Sequence, residues 1–285
     1  MKYYIIPLFV FFLLFNIPHS WSQSSDTLQT DSNKVYPQGG LVDAARFVDG
    51  VAHTVISPVH WKGKDWVNVG GVVAGTALST LLDKPVRSLM RDQEGRVWNG
   101  IERVGFHYGK PYAAFIMTGG FYLTGVIFKN EWAKETGLIL GAAYLTSGAL
   151  QTLMKTAVGR ARPGTEVGPW AFDPFSESPA YHSFPSGHIQ IAMVSALVLG
   201  HRAHNPWLKG LLYATGATTF VGRLHTDAHW MSDMVFGTAI SYFCTRAVIN
   251  RMDSNHQDHI FGKKKNPITW QLSPALQGIA LRGTF

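Results

Sequence analysis

The chain has 285 residues, of which 46% are hydrophobic and 15% charged; with its many Gly and Pro it is neither disordered, collagen-like nor a simple coiled coil. A net charge of +7 favours anionic surfaces or anionic substrates without identifying one, and a mean hydropathy of +0.03 leaves the membrane question open. The single cysteine, Cys244, excludes an intrachain disulfide and a Cys-rich zinc site, and its apolar surroundings point to core packing.

In chain order, Lys2, an apolar run from Ile5 to Ile17, and small residues at Ser20 and Ser22 have the three-part layout of a secretory signal peptide. Cleavage is expected after Ser22. The alternative is an uncleaved anchor, for which the run falls short of the roughly 20 residues a spanning helix needs. Residues 23–60 are assigned to a linker and lead-in, the first part being rich in Ser, Thr, Gln, Asp and Gly.

Six stretches are then charge-free or nearly so: Trp66–Leu82, Pro111–Phe128, Thr136–Met154, Ile189–Gly200, Gly210–Gly222 and Met234–Thr245. Strand-like alternation is poor throughout, so an all-α bundle of about six core helices is predicted over residues 61–250. Residues 83–110 are read as a basic loop, and the link from His201 to Lys209 is also basic. Both are hard to place in the cytoplasm together, so a removed signal does not fit six simple spans. The expectation is therefore an exported protein of the periplasm or envelope, soluble or peripherally attached in preference to integral.

Three motifs carry chemistry. In Lys155-Thr156-Ala157-Val158-Gly159-Arg160-Ala161-Arg162-Pro163, a helix that continued would bring Lys155 and Arg162 onto one face, and Pro163 would stop it. Two basic residues at a helix end can equally cap its dipole. In Ser183-Phe184-Pro185-Ser186-Gly187-His188, the turn opening an apolar helix offers backbone N–H groups and a hydroxyl to a phosphate, with His188 placed to donate a proton. A plain Ser-capped helix is the alternative. In the stretch from Arg223 to Asp233, His229 and Asp233 are four apart, so the carboxylate can hold one imidazole nitrogen and leave the other as nucleophile. Arg223 adds a fork suited to phosphate, while His225, Asp227 and His229 can also be drawn as metal ligands.

Order and spacing of these motifs over residues 110–250 resemble the type 2 phosphatidic acid phosphatase and vanadium haloperoxidase superfamily. Its signature is Lys, six residues, Arg-Pro; then Pro-Ser-Gly-His; then Ser-Arg, five residues, His, three residues, Asp. The one departure is Gly222 in place of the Ser. The resemblance implies that Lys155, Arg162, Ser186, the Gly187 N–H and Arg223 bind the phosphoryl oxygens. It also implies that His229 attacks phosphorus, Asp233 orients it and His188 protonates the leaving oxygen. No metal or organic cofactor is implied.

The implied partner is a phosphorylated lipid or small phosphoester, with an anionic membrane surface as a second contact and no nucleic acid. Aromatic residues between the first two motifs, among them Trp170, Phe172, Phe175 and Tyr181, suit an apolar entrance for lipid chains or ordinary packing. The rivals are a vanadate-dependent haloperoxidase and a non-catalytic phospholipid-binding envelope protein, the latter leaving His188, His229 and Asp233 unexplained. Residues 251–285 form a basic tail in which Lys263, Lys264 and Lys265 suit an anionic membrane or solvent, ending in a short irregular or β-like segment.

Overall fold

All six charge-poor stretches are helical, and the polar residues at their ends explain where they begin. The computed structural model describes residues 39–261, 269–275 and 278–284; the expected signal peptide, most of the linker and the lysine run at 263–265 lie outside the described residues. In order, the helices are α1 (Gly40–Ile56), α2 (Gly63–Ser79), α3 (Asp83–Arg91), α4 (Arg96–Tyr108), α5 (Pro111–Ile127), α6 (Glu131–Val158), α7 (Gly187–Arg202), α8 (Pro206–His225) and α9 (Met231–Phe261). Asn130 caps α6 by accepting the Ala133 N–H at 3.0 Å, and Asn205 caps α8 by accepting from Trp207 and Leu208. Pro111 and Pro206 open α5 and α8, where a missing N–H costs nothing.

The predicted basic loop at 83–110 is instead α3 and α4. Val86 and Met90 stand four apart on α3 and are buried, so an apolar stripe is present beneath the charges. Helix α1 likewise begins within the expected lead-in, and α9 runs past position 250 to Phe261. Beyond it, Thr269–Ala275 and Gly278–Thr284 pair antiparallel, which gives the tail its expected β character.

The core divides in two. Leu138, Ile139 and Leu140 of α6 pack with Val194 and Val198 of α7 and Val248, Ile249 and Met252 of α9. A second cluster joins Val86 and Met90 of α3 to Ile189 and Met193 of α7, Phe220 and Leu224 of α8, and Met231, Met234 and Val235 of α9. Charge gathers at the two ends of the bundle. At one end Arg46 pairs with Glu135 at 2.7 Å, Arg202 reaches the same carboxylate, and Arg251 pairs with Asp49, tying α1 to α6 and α9. At the opposite end lie all three motifs.

Candidate active site

Four helix ends and one ordered loop deliver the motifs to one place. Helix α6 stops at Gly159, whose left-handed φ of 57° only glycine adopts freely and whose Cβ would fall 1.8 Å from the Asp173 carbonyl. The helix therefore does not continue to Pro163 as expected. From Gly159 the chain runs extended, held by Ala161 N–H to Ala171 O at 2.9 Å, Arg162 N–H to Ala180 O at 2.9 Å and Ser183 N–H to Arg160 O at 3.0 Å. Lys155 and Arg162 still converge, since Lys155 Nζ donates to the His182 carbonyl at 2.8 Å and Arg162 Nη2 reaches it at 3.5 Å.

Ser186 and Gly187 open α7, and Ser186 makes no side-chain capping bond. Arg223 ends α8, and His229 precedes α9, whose first turn holds Asp233. Among the described residues, Arg162 Nε, Ser186 Oγ, His188 Nε2 and Arg223 Nε are all buried without a hydrogen-bond partner. Buried polar atoms are nearly always paired, so four orphans from three separated motifs mark a site built for a polar ligand rich in acceptors.

His229 is 3% exposed, and its Nδ1 faces the Ser183 carbonyl at 2.7 Å. Asp233 Oδ2 is 3.8 Å from the same nitrogen, beyond hydrogen-bonding distance. The orienting acceptor is thus a backbone carbonyl of the second motif, with the carboxylate acting across a short gap through its charge. Nδ1–H donating to that carbonyl leaves Nε2 with its lone pair free. Burial pushes the imidazole down to about 4, against the upward pull of Asp233, with Lys155 and Arg162 adding to the depression. His188 is pushed down to about 3, by burial first and then by Arg223, His229, Arg162 and Lys110. A dianionic phosphoryl group held among these cations would offset their effect and favour the protonated form of His188.

Sequence reasoning missed a second layer. Phe106 of α4 lies under the site, stacked on His188 at 5.4 Å with the Arg223 guanidinium 5.4 Å and the Lys110 ammonium 4.1 Å from its ring centre. Arg160, quoted in the first motif without a role, reaches Asp233 Oδ1 at 2.6 Å and Asp83 Oδ2 at 2.7 Å. Its position two residues before Arg162 was the only signal for it, and Asp83 gave none.

The alternative metal cluster is not assembled. His225 Nε2 faces the Gln93 carbonyl at 2.9 Å, with its ring stacked on Trp98, and Asp227 forms a two-pronged ion pair with Arg87. Gly222 also finds its reason: a Cβ there would meet the Glu102 Cα at 3.0 Å, so glycine lets α8 lie close against α4.

Residues 136–257 match the family model of the PAP2 superfamily. Over 105 residues the chain is 34% identical to a lipid A 1-phosphatase of Rhizobium etli, which covers 36% of this chain and 44% of that protein. It is 26% identical over 172 residues to a lipid A 1-phosphatase of Porphyromonas gingivalis, covering 59% of this chain and 34% of that one. The matches thus span less than half the length of these relatives. Among solved structures, LpxE of Aquifex aeolicus aligns with a TM-score of 0.45 and 19% identity, over 59% of this chain and 95% of that one. A transmembrane PAP2-type phosphatidylglycerolphosphate phosphatase from Bacillus subtilis aligns at 0.41 and 15%, over 75% and 96%. The matched region holds all three motifs, and over it the chain is similar to the PAP2, or type 2 phosphatidic acid phosphatase, superfamily.

Proposed function

We propose that the protein is a lipid phosphatase that removes a phosphate from an envelope lipid through a phosphohistidine, without a metal. The observation that carries this reading is the set of buried, unpartnered polar atoms on Arg162, Ser186, His188 and Arg223 beside a neutral His229. Lys155, Arg162 and Arg223 supply the positive charge that answers the transferring phosphoryl group. His229 Nε2 forms a bond to phosphorus as the phosphorus–oxygen bond to the lipid breaks, and His188 gives its proton to the departing oxygen. His188 then takes a proton from water, whose oxygen displaces His229 and yields inorganic phosphate.

A bilayer is the proposed setting. One described helix, Glu131–Val158, is long and apolar enough to cross a membrane, and half of its most apolar window is buried. The stronger argument is the exposed surface between the two charged ends. Phe115, Ile116, Leu123 and Ile127 face outward along the charge-free α5, and Val67, Val73 and Leu78 do so on α2. The run Pro111–Phe128 is about 27 Å long as a helix, close to the roughly 30 Å of a hydrocarbon core. Exposed Trp132 and Trp207 lie at the end away from the site and Tyr112 and Trp170 lie at the site end, as interfacial belts require. An apolar surface of this extent favours integral placement over the soluble or peripheral one that charge parity suggested. The spans would be the charge-free stretches, leaving Lys155, His188, Arg223 and Asp233 just outside them. Exposed Trp170, Phe172 and Phe175 beside the site suit a lipid entrance.

The test is phosphate release in detergent from lipid A 1-phosphate, phosphatidylglycerophosphate, phosphatidate, undecaprenyl diphosphate and a soluble phosphomonoester, with and without EDTA. Turnover of at least one lipid substrate in EDTA is expected. Release only from the soluble ester, or loss in EDTA that added metal restores, would overturn the lipid or the metal-free part respectively.

A further inference from the structure

A buried ion cluster behind His229 extends outside the matched region. Arg160 is 3% exposed; its Nε donates to the Pro169 carbonyl at 2.9 Å, its Nη1 to Ser232 Oγ at 2.7 Å and Asp233 Oδ1 at 2.6 Å, and its Nη2 to Asp83 Oδ2 at 2.7 Å. Asp83, 1% exposed at the start of α3, also accepts the Ser232 N–H at 2.9 Å and the Ser232 hydroxyl. The other oxygen of Asp233, Oδ2, which faces His229, accepts the Trp230 N–H at 2.8 Å and the Ser183 hydroxyl.

From this geometry we infer that Asp83 and Arg160 are positioning residues for the His229–Asp233 pair, with Asp83 neutralising Arg160 so that Asp233 presents its charge to the imidazole. The inference rests on the proposed chemistry only for its kinetic consequence. One guanidinium between two carboxylates leaves a net charge of −1 behind His229, the complement of the positive imidazole formed on attack. Without Asp83, Arg160 would cancel Asp233. Without Arg160, two carboxylates would face the ring. The other charges facing His229 are Lys155 from α6 and Arg162 from the extended segment, with His188 on α7; Arg223 lies beyond His188, and Arg87 of α3 is turned toward Asp227 and Glu166.

The experiment is an NMR titration of the His229 imidazole in the detergent-solubilised full chain, alongside pH profiles of kcat and KM. Asp83→Asn should move the His229 titration down by about one unit and lower kcat about tenfold with little change in KM. Arg160→Gln should move the titration upward, and the double variant should bring it back toward wild type. A structural role alone would shift both single variants the same way or neither, and either result overturns the inference. If Asp83→Asn does not fold, the upward shift of Arg160→Gln decides alone, its absence counting against the inference. The titration is read without substrate, so a failure of the phosphatase reading leaves it interpretable.

Discussion

Attack by nitrogen on phosphorus needs a neutral imidazole with a defined tautomer, and at His229 separate features supply the two. Burial holds the ring neutral, and the Ser183 carbonyl fixes the proton on Nδ1. His229→Ala should abolish phosphate release while leaving the melting temperature near that of wild type, measured by turnover and thermal unfolding. In the proposed mechanism the neutral ring is the active form, so activity should disappear as pH falls through its pKa. With that value at about 4, the acid limb of the kcat/KM profile that belongs to His229 should drop steeply below about pH 4. Asp233→Asn keeps the shape but removes the charge facing the imidazolium. Since the tautomer is held by a carbonyl and not by the carboxylate, kcat should fall by about 10²-fold, less than the ~10⁴-fold seen where an Asp holds the tautomer itself.

At the scale of elements, the site depends on how helices stop and how closely they approach. Gly159 ends α6 and lets the segment carrying Arg160 and Arg162 turn back beneath Asp173. Gly159→Ala combines a disfavoured φ with a Cβ 1.8 Å from a carbonyl oxygen, so it should destabilise the protein by more than about 1 kcal/mol and reduce turnover. Thermal unfolding and kcat measured together check this. Gly222→Ser, which restores the family's usual residue, should not raise activity here. Its Cβ would press on the α4 backbone at Glu102, and the melting temperature should fall by the few degrees that about 1 kcal/mol of overpacking produces.

For the whole molecule, the apolar band between two charged ends is the feature on which the proposed bilayer setting rests. The link at 201–209 and the end of α8 that follows it stand opposite the motifs, as do the α1 ion pairs to Glu135 and Arg251. Alkaline carbonate and high salt should leave the protein in the membrane pellet while detergent releases it, because screening removes ionic contacts and not buried apolar helices. Recovery in the carbonate supernatant would return the molecule to a peripheral state.

The sequence by itself determined the helical class and six of the helices, and it singled out the residues proposed here to bind phosphate and to attack it, because apolar runs and short motifs are local patterns. Through the resemblance alone it also assigned His188, His229 and Lys155 to one site. What only the tertiary structure decided lies in contacts between distant segments. Helices α3 and α4 looked like a loop because their charges outnumber a narrow apolar stripe. The acceptor for His229 is 46 residues away and the partner of Arg160 is 77 residues away, separations that leave no periodic trace in a single chain. Even the stop of α6 moved from Pro163 to Gly159, since a left-handed backbone there is needed only when the chain must fold back on Asp173.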